Sequence, residues 1–287
     1  MKQAILIIAH KDLFSLQRII SHFDGNFDFY IHIDKKCKEK HPQFQSIGKV
    51  VTISKHRVEW GSEGQLWAIY DLLAIASTSN SYSYYHIITG SDYPIRSCDK
   101  FLQFFSEDKQ TNYIEYHPMP RDTWGKEGGL DRLRYYWIGN QWRDIRTHGN
   151  LTKFLVKVQR KTGIHRDLTC FGNLYCGGAY CSLSRQGVAT ILNFPRKQLH
   201  QRTRFTHACE EIILQTLLLN SKDTICENNS LRYILWEGNA ASPKTLTEED
   251  FTSIKDSDAF FARKIDPIAS RNLISLIDTE FLNHVCI

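Results

Sequence analysis

No apolar run among the 287 residues approaches the length of a membrane span. None stands at the start in the order of a secretory leader either, because Met1-Lys2-Gln3 leads into only six apolar residues, Ala4 to Ala9, before His10. Neither sign of charge dominates. Against 36 Lys and Arg stand 31 Asp and Glu, and the net charge of +5 is dispersed rather than gathered into runs, which argues against a dedicated nucleic-acid binder. There is no internal repeat, no low-complexity segment and no GxGxxG phosphate loop. The eight cysteines (Cys37, Cys98, Cys170, Cys176, Cys181, Cys209, Cys226 and Cys286) form no CxxC pair and fall mostly in apolar surroundings, so buried thiols in a reducing compartment are expected and a zinc site is not. What remains, 42% hydrophobic and 23% charged residues, suits one globular domain with a sizeable core.

The chain opens as an alternating α/β protein. Residues 3–10 are a fully apolar strand, Asp12 is placed to N-cap a helix carrying Leu13, Leu16, Ile20 and Phe23 at helical spacing, and residues 27–34 make the next strand. Such a unit opens a parallel, nucleotide-binding-type sheet. A third strand spans 49–54. Ser62 with Gln65 reads as a capping box, and Leu66, Ile69, Tyr70 and Leu73 continue a helix of three or four turns from Ser62, with Trp60-Gly61 in front of it. By its place alone that Trp is more often a packing anchor than a ligand contact. The apolar run ending at Thr89 stops at Gly90-Ser91-Asp92 and Pro94, the pattern of a buried strand that delivers Ser91 and Asp92 to a cleft. An Asx-turn accounts for Asp92 equally well.

Residues 111–169 are less regular. Tyr113, Tyr116, Trp124, Tyr135, Tyr136, Trp137 and Trp142 interleave with Arg121, Arg132, Arg134, Arg143 and Arg146, a mixture suited to stacking on sugar rings, while Asp122, Asp131 and Asp144 would weaken binding to RNA phosphates. Lys153 to Arg166 reads as a basic amphipathic helix or loop, a solvated face or one that rests on anionic lipid. Residues 174–183 read as one strand with paired glycines where another backbone or a ligand approaches. Thr206 is the expected N-cap of an apolar helix over 210–219, residues 231–236 are a strand, Ser242-Pro243 opens a last helical region, and an amphipathic helix follows Pro267.

Six segments, in order, resemble the core-2/I-branching glycosyltransferases, the family that also holds peptide O-xylosyltransferases. Ile31-His32-Ile33-Asp34-Lys35-Lys36 is similar to its Ile-His-Val-Asp-x-Lys, Trp60-Gly61-Ser62 to its Trp-Gly turn, and Gly90-Ser91-Asp92-Tyr93-Pro94-Ile95-Arg96-Ser97 to its Ser/Gly-x-Asp-Phe/Tyr-Pro signature. Gly177-Gly178-Ala179-Tyr180-Cys181 matches its Gly-Ser-Ala/Gln-Tyr/Trp strand, the helix from Cys209 to Ser221 its Pro-Asp-Glu helix, and Phe260 to Asp266 its Phe-Ala-Arg/Asn-Lys-Phe-Asp ending. The resemblance covers roughly positions 3 to 268. It implies a single-domain α/β fold of GT-A type, with a mixed, mainly parallel sheet flanked by helices. It also implies inverting transfer of a sugar from a UDP-sugar, with GlcNAc the expected sugar, to an oligosaccharide or glycan acceptor. The glycosyltransferase domain would span 1–268, about 1–100 for the nucleotide sugar and about 101–268 for acceptor and catalysis, before a C-terminal helix or tail at 269–287.

Such transfer needs a carboxylate to take the proton of the attacking hydroxyl. The match from Gln215-Thr216 backwards puts Glu211 on the family's catalytic Glu and Glu210 on its Asp. Cys209-Glu210 replaces the family's Pro-Asp, so Glu210 stays open as the base, and acids in the first turn of a helix are favoured by the macrodipole without any catalysis. The leaving diphosphate needs cations. No Asp-x-Asp metal motif lies beside a candidate nucleotide strand, Asp256-Ser257-Asp258 being in the late helical region. The resemblance assigns the diphosphate to Arg232 and Lys264 in place of a metal, with Arg263 the alternative to Arg232; no cofactor is expected. It assigns the nucleoside to Asp34, with Ala9 and His10 lining the same pocket and Trp60, Gly61 and Ser62 beside it. His10 reads equally as a satisfied strand-end histidine. Asp92, Glu115, Arg134 and Trp236 are assigned to the acceptor. Animal members carry a membrane anchor and a stem, whereas this chain starts at its first strand. The expected location is therefore the cytoplasm, where the sequons at Asn150 and Asn228 carry no weight, with peripheral association at the cytoplasmic membrane face left open.

Overall fold

The computed structural model describes residues 2–282 other than 80, 81, 108, 109, 126, 239 and 241. Its frame is set by β1 (Lys2–Ala9), whose Ala4, Leu6 and Ile8 enter the core on one side while Ile5, Ile7 and Ala9 enter it on the other. A strand buried on both faces needs helices on both sides of its sheet. They are present. The helices Gly64–Ser77, Arg185–Asn193 and Glu210–Leu219 cover one face. Leu16–Ser21, Cys98–Glu107, Phe251–Asp256 and Arg271–Ile277 cover the other.

The central sheet uses β2 (Phe27–Ile33), β3 (Val50–Ile53), β4 (Tyr82–Thr89), β6 (Thr111–Tyr113), β9 (Ser182–Ser184) and β10 (Ile225–Glu227) with β1, in the order β10-β6-β9-β4-β1-β2-β3. All neighbours are parallel except where β9 pairs antiparallel with β4 and β6. A second sheet of β5 (Asp92–Pro94), β11 (Arg232–Ile234) and β12 (Phe261–Arg263) has the order β11-β12-β5, and β7 (His117–Pro118) pairs with β8 (Tyr175–Cys176). This is a mainly parallel α/β architecture of GT-A type. Because β2 and β4 lie on opposite sides of β1, the chain reverses its direction of winding there, and the carboxyl ends of these strands open onto a crevice.

Several local expectations give way to tertiary contacts. Asp12 makes no side-chain cap; it sits at φ 53° and the Glu39 carboxylate instead accepts from the N–H groups of Asp12 and Leu13. The Ser62–Gln65 capping box does not form. Ser62 Oγ accepts from Gly64 N, the helix begins at Gly64, and Gln65 Nε2 donates to Tyr180 OH across the cleft at 2.9 Å. Thr206 donates to Thr203 O and caps nothing, so the helix Glu210–Leu219 starts without a side-chain cap. The expected strand 174–183 is broken into β8 and β9 around its glycines, and the close backbone approach expected there is present, since a Cβ at Gly177 would stand 2.1 Å from Glu115 O. Helix does not open at Ser242-Pro243 but after Thr247, whose side chain and Asp250 make a capping box. The basic segment is a helix over Asn150–Thr162, and the helix after Pro267 buries Leu273, Ile274 and Ile277.

Candidate active site

The crevice is floored by strand ends. Ala9 closes β1, and its carbonyl accepts from Asp34 N at 2.8 Å, fixing the residue that follows β2 beside the one that ends β1. Asp34 is buried; its Oδ1 accepts from the backbone of Lys36 and Val58, while Oδ2 has no hydrogen-bond partner and an ion pair to Lys36 Nζ at 3.7 Å. A carboxylate oxygen with no hydrogen bond at the end of a parallel strand is a ready acceptor for a ligand hydroxyl or N–H. His10 stands exposed above it, and burial of part of its ring, with Lys11, Lys36 and Lys264 nearby, lowers its pKa.

At the end of β4, Thr89 N and Oγ1 both donate to Asp92 Oδ2, closing the turn, and Asp92 Oδ1 is a second buried oxygen without a partner. The bonds run back to Thr89 and do not make the expected Asx-turn, since Pro94 two residues on has no N–H to donate; Oδ1 is the oxygen left for a ligand. β12 brings Arg263 opposite it: Nη1 donates to Thr89 Oγ1 and lies 3.3 Å from Asp92 Oδ2, and the guanidinium lies over the Tyr180 ring at 4.5 Å. Burial opposes the charge of Arg263, but Tyr180 and Asp92 more than offset it and hold the group protonated. Lys264, next in the chain, is half-buried and its ammonium has no ion pair or hydrogen bond among the described residues.

The structure places Arg232 elsewhere. Its Nη groups donate to Ser182 Oγ and to the carbonyls of Ser230, Ile87 and Cys181, it lies over Phe261 at 4.7 Å, and burial draws its pKa down to about 10. The guanidinium stitches the two sheets together beneath the cleft and does not face it. Arg263, kept open beside it in the sequence, is the cleft arginine.

The helix Glu210–Leu219 begins with two carboxylates that look different ways. Glu210 is buried, with Oε2 unpartnered, and burial together with the neighbouring Glu211 pushes its pKa well above the carboxylate range. Glu211 keeps 38% of its side chain exposed, and its Oε2 receives Arg132 Nη1 at 2.7 Å. Partial burial raises the Glu211 pKa while Arg132 works against the rise. The Arg132 guanidinium in turn lies over the Trp124 ring at 3.9 Å. Glu115 lies on the same side, its carboxylate 3.1 Å from His117 Nε2 and 3.6 Å from Arg121 Nη1, with Gly178 N donating to it.

Arg134 is not with them. It turns outward to Glu127 at 3.7 Å, in a cluster with Arg160, since residues two apart on a short helix point to different sides. Arg132 was visible only as one of many arginines in an irregular stretch, and no local signal separated it from Arg134. Trp236 is exposed in the segment after β11, and Lys244 joins that segment to Lys264: Lys244 N donates to Leu235 O, and Lys264 N donates to Lys244 O.

Trp60-Gly61-Ser62 builds the far wall. Gly61 has φ +71°, and a Cβ there would lie 2.4 Å from His207 Cε1. Its carbonyl accepts from Ala208 N, Asn140 Nδ2 and His207 Nδ1. His207 stacks on Trp137 at 4.7 Å and meets Trp60 at 5.4 Å, while Arg146 lies over Trp60 at 4.8 Å. Trp60 is thus packed and partly open at once, and Ser62 is buried behind it.

A groove of about 800 Å³ lies apart from this cleft, between the helices Cys98–Glu107 and Phe251–Asp256, and Asp256 and Asp258 line it. The Asp-x-Asp is therefore remote from Asp34 and Glu211. No group of three or more His, Cys, Asp or Glu gathers as a metal-ligand set among the described residues.

The sequence profile of the Core-2/I-branching enzyme family matches residues 4–256. Curated proteins similar to the chain include xylosyltransferase 2 of Canis lupus familiaris, 22% identical over 307 residues that cover 96% of this chain and 33% of that protein. Xylosyltransferase 1 of Homo sapiens is 23% identical over 306 residues and that of Mus musculus 24% over 311, each alignment covering 96% of this chain and 30% of the relative. The chain spans about a third of the length of these relatives.

Proposed function

The chain belongs to the Core-2/I-branching enzyme family, and we propose that it is an inverting glycosyltransferase that moves a sugar from a UDP-sugar to a hydroxyl of a saccharide acceptor. The observation that carries this reading is one cleft holding a carboxylate oriented by an arginine, Glu211 with Arg132, within electrostatic range of the strand-end cation Arg263. Glu211 takes the proton of the acceptor hydroxyl as its oxygen bonds to the anomeric carbon. The bond from that carbon to the phosphate oxygen breaks on the opposite side, and UDP departs with the electron pair. Arg263 and Lys264 hold the charge that gathers on the diphosphate; in a cleft poor in water their attraction is weakly screened. Asp34 Oδ2 and His10 receive the nucleoside, and Asp92 Oδ1 accepts from a sugar hydroxyl. Glu115 and Trp236 are assigned to the acceptor side.

Both glutamates have uses under this reading. A neutral Glu210 behind an ionised Glu211 is how adjacent carboxyls in unlike surroundings divide protons, and only the ionised one serves as base. GlcNAc is the first donor sugar proposed. Xylose is the second, because the relatives similar to this chain are named xylosyltransferases; a protein acceptor would go with it.

UDP release from UDP-GlcNAc and UDP-xylose, measured with EDTA present and with saccharide and peptide acceptors, tests the proposal. Turnover that survives EDTA and is lost in Lys264→Ala supports cation-assisted departure and names the donor. Binding of UDP without turnover of any donor would reduce the chain to a nucleotide-sugar-binding module.

A further inference from the structure

Thirteen large apolar side chains stand exposed among the described residues, and six of them, Ile138, Trp142, Leu151, Phe154, Val158 and Ile164, fall between residues 138 and 164. The helix Asn150–Thr162 explains the concentration. It turns Thr152, Val156 and Gln159 inward and leaves Leu151, Phe154 and Val158, spaced i, i+3, i+7, along its outer side; Leu151 is 69% and Phe154 59% exposed. Lys153, Lys157 and Lys161 recur every fourth residue on one flank of that ridge. All three are exposed and none has an ion pair among the described residues, while Arg160 is drawn off to Glu127 at 2.7 Å. The helix contains no acid. Trp142, 61% exposed, precedes its N-terminal end, and Ile164 follows its last turn.

We propose that this face seats on an anionic phospholipid bilayer, with the apolar ridge at the level of the headgroups and the lysine row on lipid phosphates. An exposed apolar ridge edged by unpaired lysines is the pattern of a helix that lies in a membrane interface. No helix among the described residues is long and apolar enough to cross a membrane, so the contact is with the surface. A second copy of the chain fits less well. Pairing two such faces antiparallel about a two-fold axis would set one lysine row against the other. The seat is also mechanically tied to the cleft: the Gln159 side chain bonds Tyr136 through both N and O, Trp137 stacks on His207, and Arg146 covers Trp60. A bilayer bound here is braced to the wall that carries Arg132. The docking itself does not rest on sugar transfer.

Cosedimentation of the full chain with vesicles of mixed phosphatidylcholine and phosphatidylglycerol, against phosphatidylcholine alone, tests the seat. The chain is expected to pellet with the mixed vesicles and not with the neutral ones, and less so in high salt. Changing Lys153, Lys157 and Lys161 to Glu is expected to lower partition by more than about a hundredfold, a factor of roughly five for each lysine charge removed, before the repulsion of the added carboxylates. A Leu151→Ser/Phe154→Ser variant is expected to bind weakly while its circular dichroism stays unchanged. The proposal is overturned by failure to pellet with mixed vesicles, or by equal binding of the Glu variant. It is also overturned if the serine variant converts a dimer to a monomer in analytical ultracentrifugation, which would assign the ridge to a second copy.

Discussion

Glu210 and Glu211 are chain neighbours with opposite surroundings, and that difference makes them separable by mutation. Glu211→Gln removes the base and is expected to lower kcat by about 10² to 10⁴ with UDP affinity kept. Glu210→Gln replaces a buried neutral acid by a neutral amide and is expected to leave most activity, with the acid limb of the pH–rate profile unmoved because no charge beside Glu211 changes. Reversed outcomes in the two kcat measurements would move the base to Glu210. Arg232 allows a comparable separation. Arg232→Met leaves Ser182 Oγ and buried carbonyls without their donor, at a cost of about 3 kcal/mol or more in urea unfolding. Arg263→Met acts in the cleft and is expected to raise KM for the donor with a smaller loss of stability. If Arg232→Met unfolded normally and weakened UDP binding instead, the cleft assignment of Arg263 would be wrong. A single chain of letters could not make this distinction, because Arg232 and Arg263 both sit on short strands of one sheet, and only the pairing of Arg232 with Phe261 and of Arg263 with Ile234 shows that they occupy opposite ends of it.

Among the elements, the strands were readable and the caps were not. β1, β2 and β4 are buried on both faces, so their apolar runs announce themselves without any partner. A cap depends on what else reaches the helix end. Glu39 takes the place expected of Asp12, and Gln65 leaves its own helix end for Tyr180, a residue more than a hundred positions away. Of the small sheet only β11 was legible, within the strand expected over 231–236; β5 and β12 are three residues each and gain their register only from pairing. Trp60-Gly61-Ser62 was legible as a turn, but its function as a joint came from His207. Gly61→Ala tests that joint. It demands a positive φ of an L-residue and drives a Cβ into the His207 ring, so a loss of about 1–2 kcal/mol from the backbone alone is expected. Activity should fall further than stability, because the displaced ring also stacks on Trp137. Unchanged kcat in a destabilised Gly61→Ala would show that the far wall is structural only.

Across the whole molecule, proton balance joins the cleft to the stability of the fold. His32 accepts from His56 N through Nε2, and burial draws its pKa down to about 4. His207 falls to about 4 by burial and by Arg132, and buried His86, between Ser182 and Gln3, is held well below its ordinary value. Each ring is neutral in the fold and takes a proton in the unfolded chain near pH 6.5. The unfolded state therefore binds more protons below that point, and stability falls as pH drops from 6.5 towards 4, at up to about 1.4 kcal/mol per pH unit for each ring. Glu210 acts in the other sense. Its folded pKa lies above the unfolded one, so the folded state keeps a proton that the unfolded chain releases, and its contribution is lost as pH rises above about 4.5. Urea unfolding of the native chain and Glu210→Gln over the same pH range separates the two. The Gln variant is expected to match the native chain near pH 4 apart from a constant offset and to gain on it steadily towards pH 8. Its own stability should still fall on acidification, because three neutral rings outweigh the carboxylates that remain. Two parallel curves would mean that Glu210 is ionised in the fold, and then the division of protons on which Glu211 depends as base could not hold.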